Sequence, residues 1–155
     1  MTCESDFAGA VLRQSPTRSA VHYYSGLALL HRGDAQGALA EIERDKSEFW
    51  RTIGLPVPYQ ARGRKADSDK ALAAPIAKSE KDDSCNIAEI YAFRGEADNA
   101  FDRLGKAVEY GDPGLLGIVP ERLIANIRSD PRWRIDSRVA PVGDSEPDAA
   151  QGGVT

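Results

Sequence analysis

Ile87-Ala88-Glu89-Ile90-Tyr91-Ala92-Phe93-Arg94-Gly95-Glu96 is the stretch on which the fold of this chain turns. It reads as the end of one helix, a glycine that stops it, and an acid that opens the next. A glycine just past a helix takes up the left-handed conformation without a Cβ clash, so Arg94-Gly95 marks a tight turn. The same step occurs at Arg32-Gly33 and Arg62-Gly63, giving spacings of 30 and 32 residues.

What surrounds each glycine repeats as well. Seven residues before stand Gly26, Pro56 and Ala88, and four before stand Leu29, Tyr59 and Tyr91. Five after come Ala38, Ser68 and Ala100, and nine after come Ile42, Leu72 and Leu104. Small side chains let two helix backbones approach, and large ones fill the space beside them. The pattern predicts antiparallel helix pairs closed by tight turns, and an all-α protein, since strand-like alternation is absent.

Local signals place the ends. Ser15-Pro16 reads as an N-cap followed by a first-turn proline, opening a helix that runs to Arg32. Asp34 is placed to cap the next helix. Asp82, Asp83 or Ser84 opens a helix ending at Arg94, and Glu96-Ala97-Asp98 puts acid in the first turn of its partner. That partner stops at Gly111-Asp112-Pro113-Gly114, a compact turn signal.

With those residues in view, Gly26, Leu29, Ala38 and Ile42, and again Ala88, Tyr91, Ala100 and Leu104, resemble the tetratricopeptide repeat, whose period is about 34 residues. The decisive stretch, with Asp112-Pro113-Gly114-Leu115 and Arg128-Ser129-Asp130-Pro131-Arg132-Trp133, is similar to the final repeats of a group of bacterial tetratricopeptide proteins. In that group such arrays often follow adenylate-cyclase-like or winged-helix regulatory domains. The resemblance covers residues 8–134 and implies an α-solenoid of six to seven helices: a repeat domain over 1–134 with pairs at about 16–48, 49–78 and 83–110 and a capping helix at about 120–128.

Some features depart from the family. The 30-residue spacing is one helical turn short. Pro56 and Pro58 fall inside an expected helix, which should kink near Leu55 or end there with a short turn after it, and Pro75 falls inside its partner, which makes the middle repeat the expected weak point. Residues 7–14 read as a second helix lacking its first, as if an array began partway through. Residues 135–155 are rich in Pro, Gly, Asp, Ser and Ala, the composition of a tail that stays disordered.

Composition narrows the function. The chain has 155 residues, 41% hydrophobic and 28% charged, which suits one domain with a real core. Its 20 Lys+Arg against 24 Asp+Glu give a net charge of −4, with no basic cluster for a nucleic-acid backbone. The apolar run from Gly26 to Leu30 is far too short for a membrane span, and the acidic start does not resemble a secretory signal. A cytoplasmic protein is expected. Cys3 and Cys85 read as free thiols.

Catalytic and metal motifs are likewise weak. His22 and His31 stand nine apart, which matches no paired ligand spacing on a helix. Arg32-Gly33-Asp34 spells an adhesion tripeptide, yet a last-turn cation, a stopping glycine and an N-cap account for all three. Gly63-Arg64-Lys65-Ala66-Asp67-Ser68 lacks the second glycine of a phosphate loop. No base accompanies a nucleophile, so the expectation is no enzyme and no cofactor.

The resemblance therefore implies a scaffold that binds another protein or peptide through a concave face lined by the first helix of each pair. Those positions are Tyr23, Leu27, Leu30 and His31, then Ile53, Val57 and Gln60, then Asn86, Glu89 and Phe93. They lack the Lys, Asn and Arg set with which some members clamp a peptide carboxylate. Two alternatives stand beside this expectation: a structural or self-associating module of a larger regulator, which would allow a homo-oligomer, and a small-molecule sensor.

Overall fold

The computed structural model describes residues 20–118 and 121–133. Residues 7–14, the Ser15-Pro16 cap, Cys3 and the tail at 135–155 lie outside them. Among the described residues the protein is helical and without strands. Seven α-helices follow in order: α1 Val21–His31, α2 Ala35–Glu43, α3 Glu48–Gly54, α4 Pro56–Ala61, α5 Lys65–Ser79, α6 Ser84–Phe93 and α7 Ala97–Tyr110. Two 3₁₀ segments, Pro113–Gly117 and Arg122–Ile127, complete the described chain.

All three Arg-Gly steps adopt one geometry. Gly33, Gly63 and Gly95 have φ of 86°, 71° and 77°, values only glycine takes without strain. The N–H of each glycine donates to the carbonyl three residues back, on Leu30, Gln60 and Ala92, at 2.9–3.0 Å. The next N–H, on Asp34, Arg64 and Glu96, donates to Leu29, Tyr59 and Tyr91 at 2.9–3.0 Å. These bonds satisfy carbonyls that a helix end would leave bare. The same three residues then serve as N-caps of α2, α5 and α7, with φ between −91° and −93°. Asp34 adds a side-chain cap, accepting the Gly37 N–H at 2.7 Å.

Packing follows the small and large positions. Ala38, Ser68 and Ala100 are fully buried, as nearly are Ile42, Leu72 and Leu104. α1 packs on α2, α4 on α5 and α6 on α7, while α2 also meets α4 and α3 meets α5. At Gly26 the approach is so close that an added methyl would overlap Ile42 and stand 3.1 Å from the Ala38 carbonyl oxygen. One apolar cluster joins Tyr23, Leu27, Ile53, Val57, Leu72, Ile87, Ile90 and Leu123. A second joins Ala88, Ala92, Ala100, Leu104, Ile124 and Ile127, with Trp133 against it.

The structure corrects three expectations and bears out a fourth. The helix expected from Pro16 to Arg32 is not continuous: Ala20 has φ of 71°, α1 begins after it at Val21, and Pro16 lies outside the described residues. The break expected near Leu55 is there: α3 ends at Gly54 and α4 starts at Pro56, with Leu55 shared between them. Pro56 and Pro58 thus occupy the first turn of α4, where the backbone N–H groups have no intrahelical partner to lose. Pro75 does not interrupt its helix: the 15-residue α5 runs through it to Ser79. The closing helix expected at 120–128 is the 3₁₀ segment Arg122–Ile127, packed on α6.

Candidate functional site

Two remote aspartates fix the helices that carry the candidate positions. Ala20 offers α1 no side-chain cap, and the buried Asp45, from the loop after α2, fills that role. Its Oδ2 accepts the Tyr23 N–H at 3.1 Å and its Oδ1 the Ser47 N–H at 2.9 Å, while its carbonyl takes Arg51 Nη1 at 2.7 Å. Asp112, from the loop after α7, does the same for α6. Its Oδ2 accepts the Cys85 N–H at 2.9 Å and its Oδ1 the Gly114 N–H at 2.8 Å. Neither cap was legible in sequence, since each acts across more than 20 residues.

The ten expected contact residues do not form one open face. Tyr23, Leu27, Leu30, Ile53 and Val57 are core residues of the first cluster, so their side chains are not free to meet a partner. Glu89 is also buried. Gln60, Asn86 and Phe93 are half-buried, and Gln60 Oε1 is buried without a hydrogen bond among the described residues. His31 alone is exposed. The physical reason is the inward packing of α1, α3, α4 and α6 on one another, sealed by Leu123 of the second 3₁₀ segment.

What stays open beside them is aromatic. Tyr24, next to the buried Tyr23, is 54% exposed, and Phe49 is 38% exposed. Trp50 joins them, with its ring 6.0 Å from Tyr24, 5.0 Å from Tyr23 and 4.9 Å from Phe49. Tyr23 and Tyr24 meet edge-on at 5.1 Å. Four rings from α1 and α3 thus form one continuous strip, half in the core and half at the surface. Sequence pattern points to Tyr23 but not to its neighbour, because the choice depends on how α1 is rotated.

Acidic charge converges on this strip. Burial first, then Glu89 and Glu121, push the phenols of Tyr23 and Tyr24 above their ordinary range. Burial, with Glu121 and Asp112 adding to it, pushes the Glu89 carboxyl up to about 8. Asp112 is bonded to backbone N–H groups, and Glu121 Oε1 accepts the Leu123 N–H at 3.1 Å. Glu89 makes no hydrogen bond or ion pair among the described residues. Elsewhere carboxylates are paired: Asp69 with Lys65 and Arg94, Glu80 with Arg103 and Lys106, Glu41 with His22 and Arg44.

An open groove of about 280 Å³ lies between α3 and α5, lined by Phe49, Thr52, Ile53 and Pro75. Glu48 and Lys78 bridge it at 3.0 Å. Among the described residues no group of His, Cys, Asp and Glu is arranged to hold a metal, and no helix is long and apolar enough to cross a membrane. Arg32, Gly33 and Asp34 sit at the turn between α1 and α2 as cap, stopper and N-cap. Burial pushes the Cys85 thiol far above the usual range, which disfavours the reactive thiolate.

No protein-family model matches this chain, and neither does any curated protein or any solved structure. The class that the geometry defines is an all-α protein of short, turn-linked helix pairs.

Proposed function

We propose that this protein is a non-catalytic, tetratricopeptide-like helical-repeat scaffold that binds another protein in the cytoplasm. The observation that carries the reading is the turn that recurs three times with the same hydrogen bonds, glycine conformation and buried small residue five positions on. A unit repeated in this way stacks on its neighbours and leaves continuous surface for a partner. The Tyr24, Trp50 and Phe49 strip supplies that surface, in place of the buried positions first expected. Partly exposed aromatics are the side chains from which interface anchors are commonly built.

The test is quantitative affinity capture from the source organism, with the wild-type protein and a Tyr24→Ala, Phe49→Ala variant as baits. A partner retained by the first and reduced at least tenfold with the second supports the scaffold, provided helicity is unchanged. Equal retention by both baits removes the aromatic strip from the reading. A second reading, self-association, draws on Val108, Tyr110 and the 75% exposed Leu116 near the last helix. Light scattering across concentration separates the two, since a dimer disrupted by Leu116→Asp belongs to self-association alone.

A further inference from the structure

The groove between α3 and α5 combines an apolar floor with two opposite charges at its mouth. Ile53 and Pro75 are buried at the floor, with the more exposed Phe49 and Thr52 beside them. Lys78 Nζ donates to Glu48 Oε1 at 3.0 Å, and these two side chains are 68% and 73% exposed. An exposed pair of this kind holds together weakly, so exchanging its partners for a ligand costs little. Asp83 also lines the groove, which gives it two acids to one lysine. Small-molecule sites commonly measure about 300 to 1,000 Å³, and at about 280 Å³ this groove suits a ligand no larger than an amino acid.

We propose that this groove binds a free α-amino acid whose side chain is apolar and of leucine size. Such a molecule carries an ammonium and a carboxylate on the same carbon, a charge pair as compact as that of Glu48 and Lys78. Set head to tail against that pair, its ammonium donates to the Glu48 carboxylate and its carboxylate accepts from the Lys78 ammonium. Four charges then alternate in sign, and each group gains a charge-assisted bond. The side chain on the same carbon reaches the Ile53 and Pro75 floor, where its burial removes apolar surface from water. A peptide cannot make the same set of contacts, because its interior carries neither charge and each end keeps only one. With two acids lining the groove, loss of the ligand's positive charge weakens binding more than loss of its negative one.

This inference goes beyond the partner-binding reading and does not depend on it. The probe is L-leucine, titrated into the isotope-labelled full chain and followed through the backbone amide shifts. Glycine, leucinamide and N-acetyl-leucine are the controls, lacking in turn the side chain, the negative charge and the positive charge. Leucine is expected to give saturable shifts at millimolar concentration, largest among residues 49–53 and 75–78. Each control should bind about tenfold or more weakly, the loss expected for one charge-assisted bond or one buried side chain, with N-acetyl-leucine the weakest. Lys78→Gln, a change at an exposed position, should weaken leucine about tenfold without weakening leucinamide, so the preference for a free carboxylate disappears. The absence of saturable shifts with leucine, shifts centred away from the groove, or equal binding of leucine and leucinamide overturns the proposal. If a partner is captured through the aromatic strip while leucine leaves the groove unmoved, the scaffold stands and the amino-acid site falls. If leucine binds as described and no partner is retained, the site stands and the scaffold falls.

Discussion

Ser68 Oγ donates a 2.8 Å hydrogen bond to the carbonyl oxygen of Pro56, joining α5 to the first turn of α4. Both residues occupy small positions of the recurring pattern, where the other turns have Gly26 facing Ala38 and Ala88 near Ala100. The middle unit thus keeps the close approach of its neighbours and adds a bond they lack. Arg94 Nη1 reaches the same hydroxyl at 3.4 Å and its guanidinium pairs with Asp69, so α6 is tied to α5 at this point. Replacing Ser68 by alanine preserves the packing and removes the hydroxyl. A loss of about 1 kcal/mol is expected in urea unfolding, the net value of one such bond. Unchanged stability would mean that the hydroxyl only fills space.

Two glycines inside helices should respond to alanine with opposite sign. At Gly26 the new methyl meets Ile42 and the Ala38 carbonyl, so α1 and α2 must separate. Such overpacking costs about 1 to 3 kcal/mol. Gly105 lies on the exposed side of α7 with no atom within 4 Å of an added Cβ. There alanine should stabilise by about 0.5 to 1 kcal/mol through helix propensity alone. Thermal melts of the two variants check both signs.

The prolines divide in the same manner. Pro56 and Pro58 are buried in the first turn of α4, where their fixed φ suits the backbone. Alanine at either position should destabilise, by about 1 kcal/mol from the freer unfolded chain and lost packing together. Pro75 stands deep inside α5, where it removes a backbone bond and crowds the preceding turn. Pro75→Ala should stabilise, by up to about 3 kcal/mol. Urea midpoints for the three single variants decide the matter, and a stabilising Pro56→Ala would show that α3 and α4 are one strained helix.

These cases show what the chain discloses locally and what it withholds. The turns at Gly33, Gly63 and Gly95 are legible because cap, glycine and following acid or base lie within a few residues. So are the all-α class and the small positions at Ala38, Ser68 and Ala100. The break near Leu55 is legible from Pro56 and Pro58, but that α4 continues beyond it as a helix depends on its packing with α5. Asp45 and Asp112 cap helices that precede them by more than 20 residues, a pairing no local pattern encodes. Six of the ten expected contact residues are buried for a similar reason. Their spacing puts Tyr23, Leu27 and Leu30 on one face of α1, but only the inward packing of α3, α4 and α6 decides that this face is core and that Tyr24 is surface.

Glu89 gives the fold a pH dependence opposite in sign to that of the paired carboxylates. Its carboxyl is raised to about 8 by burial, Glu121 and Asp112, against 4.5 in the unfolded chain. For an acid with a raised folded value, the sign is the reverse of an ion-paired carboxylate. Below about pH 4.5 the group is protonated in both states and contributes no penalty. As pH rises toward 8 the unfolded chain ionises freely while the folded one holds its proton, so stability falls by up to about 1.4 kcal/mol per pH unit. Above about 8 both states are ionised and the penalty stays constant. Glu89→Gln removes this term while keeping the shape and a polar end. The variant and the wild type should have similar urea midpoints near pH 4, and the variant should gain steadily between pH 5 and 8. Parallel stability curves across that window would show that Glu89 ionises in the folded protein as it does in water.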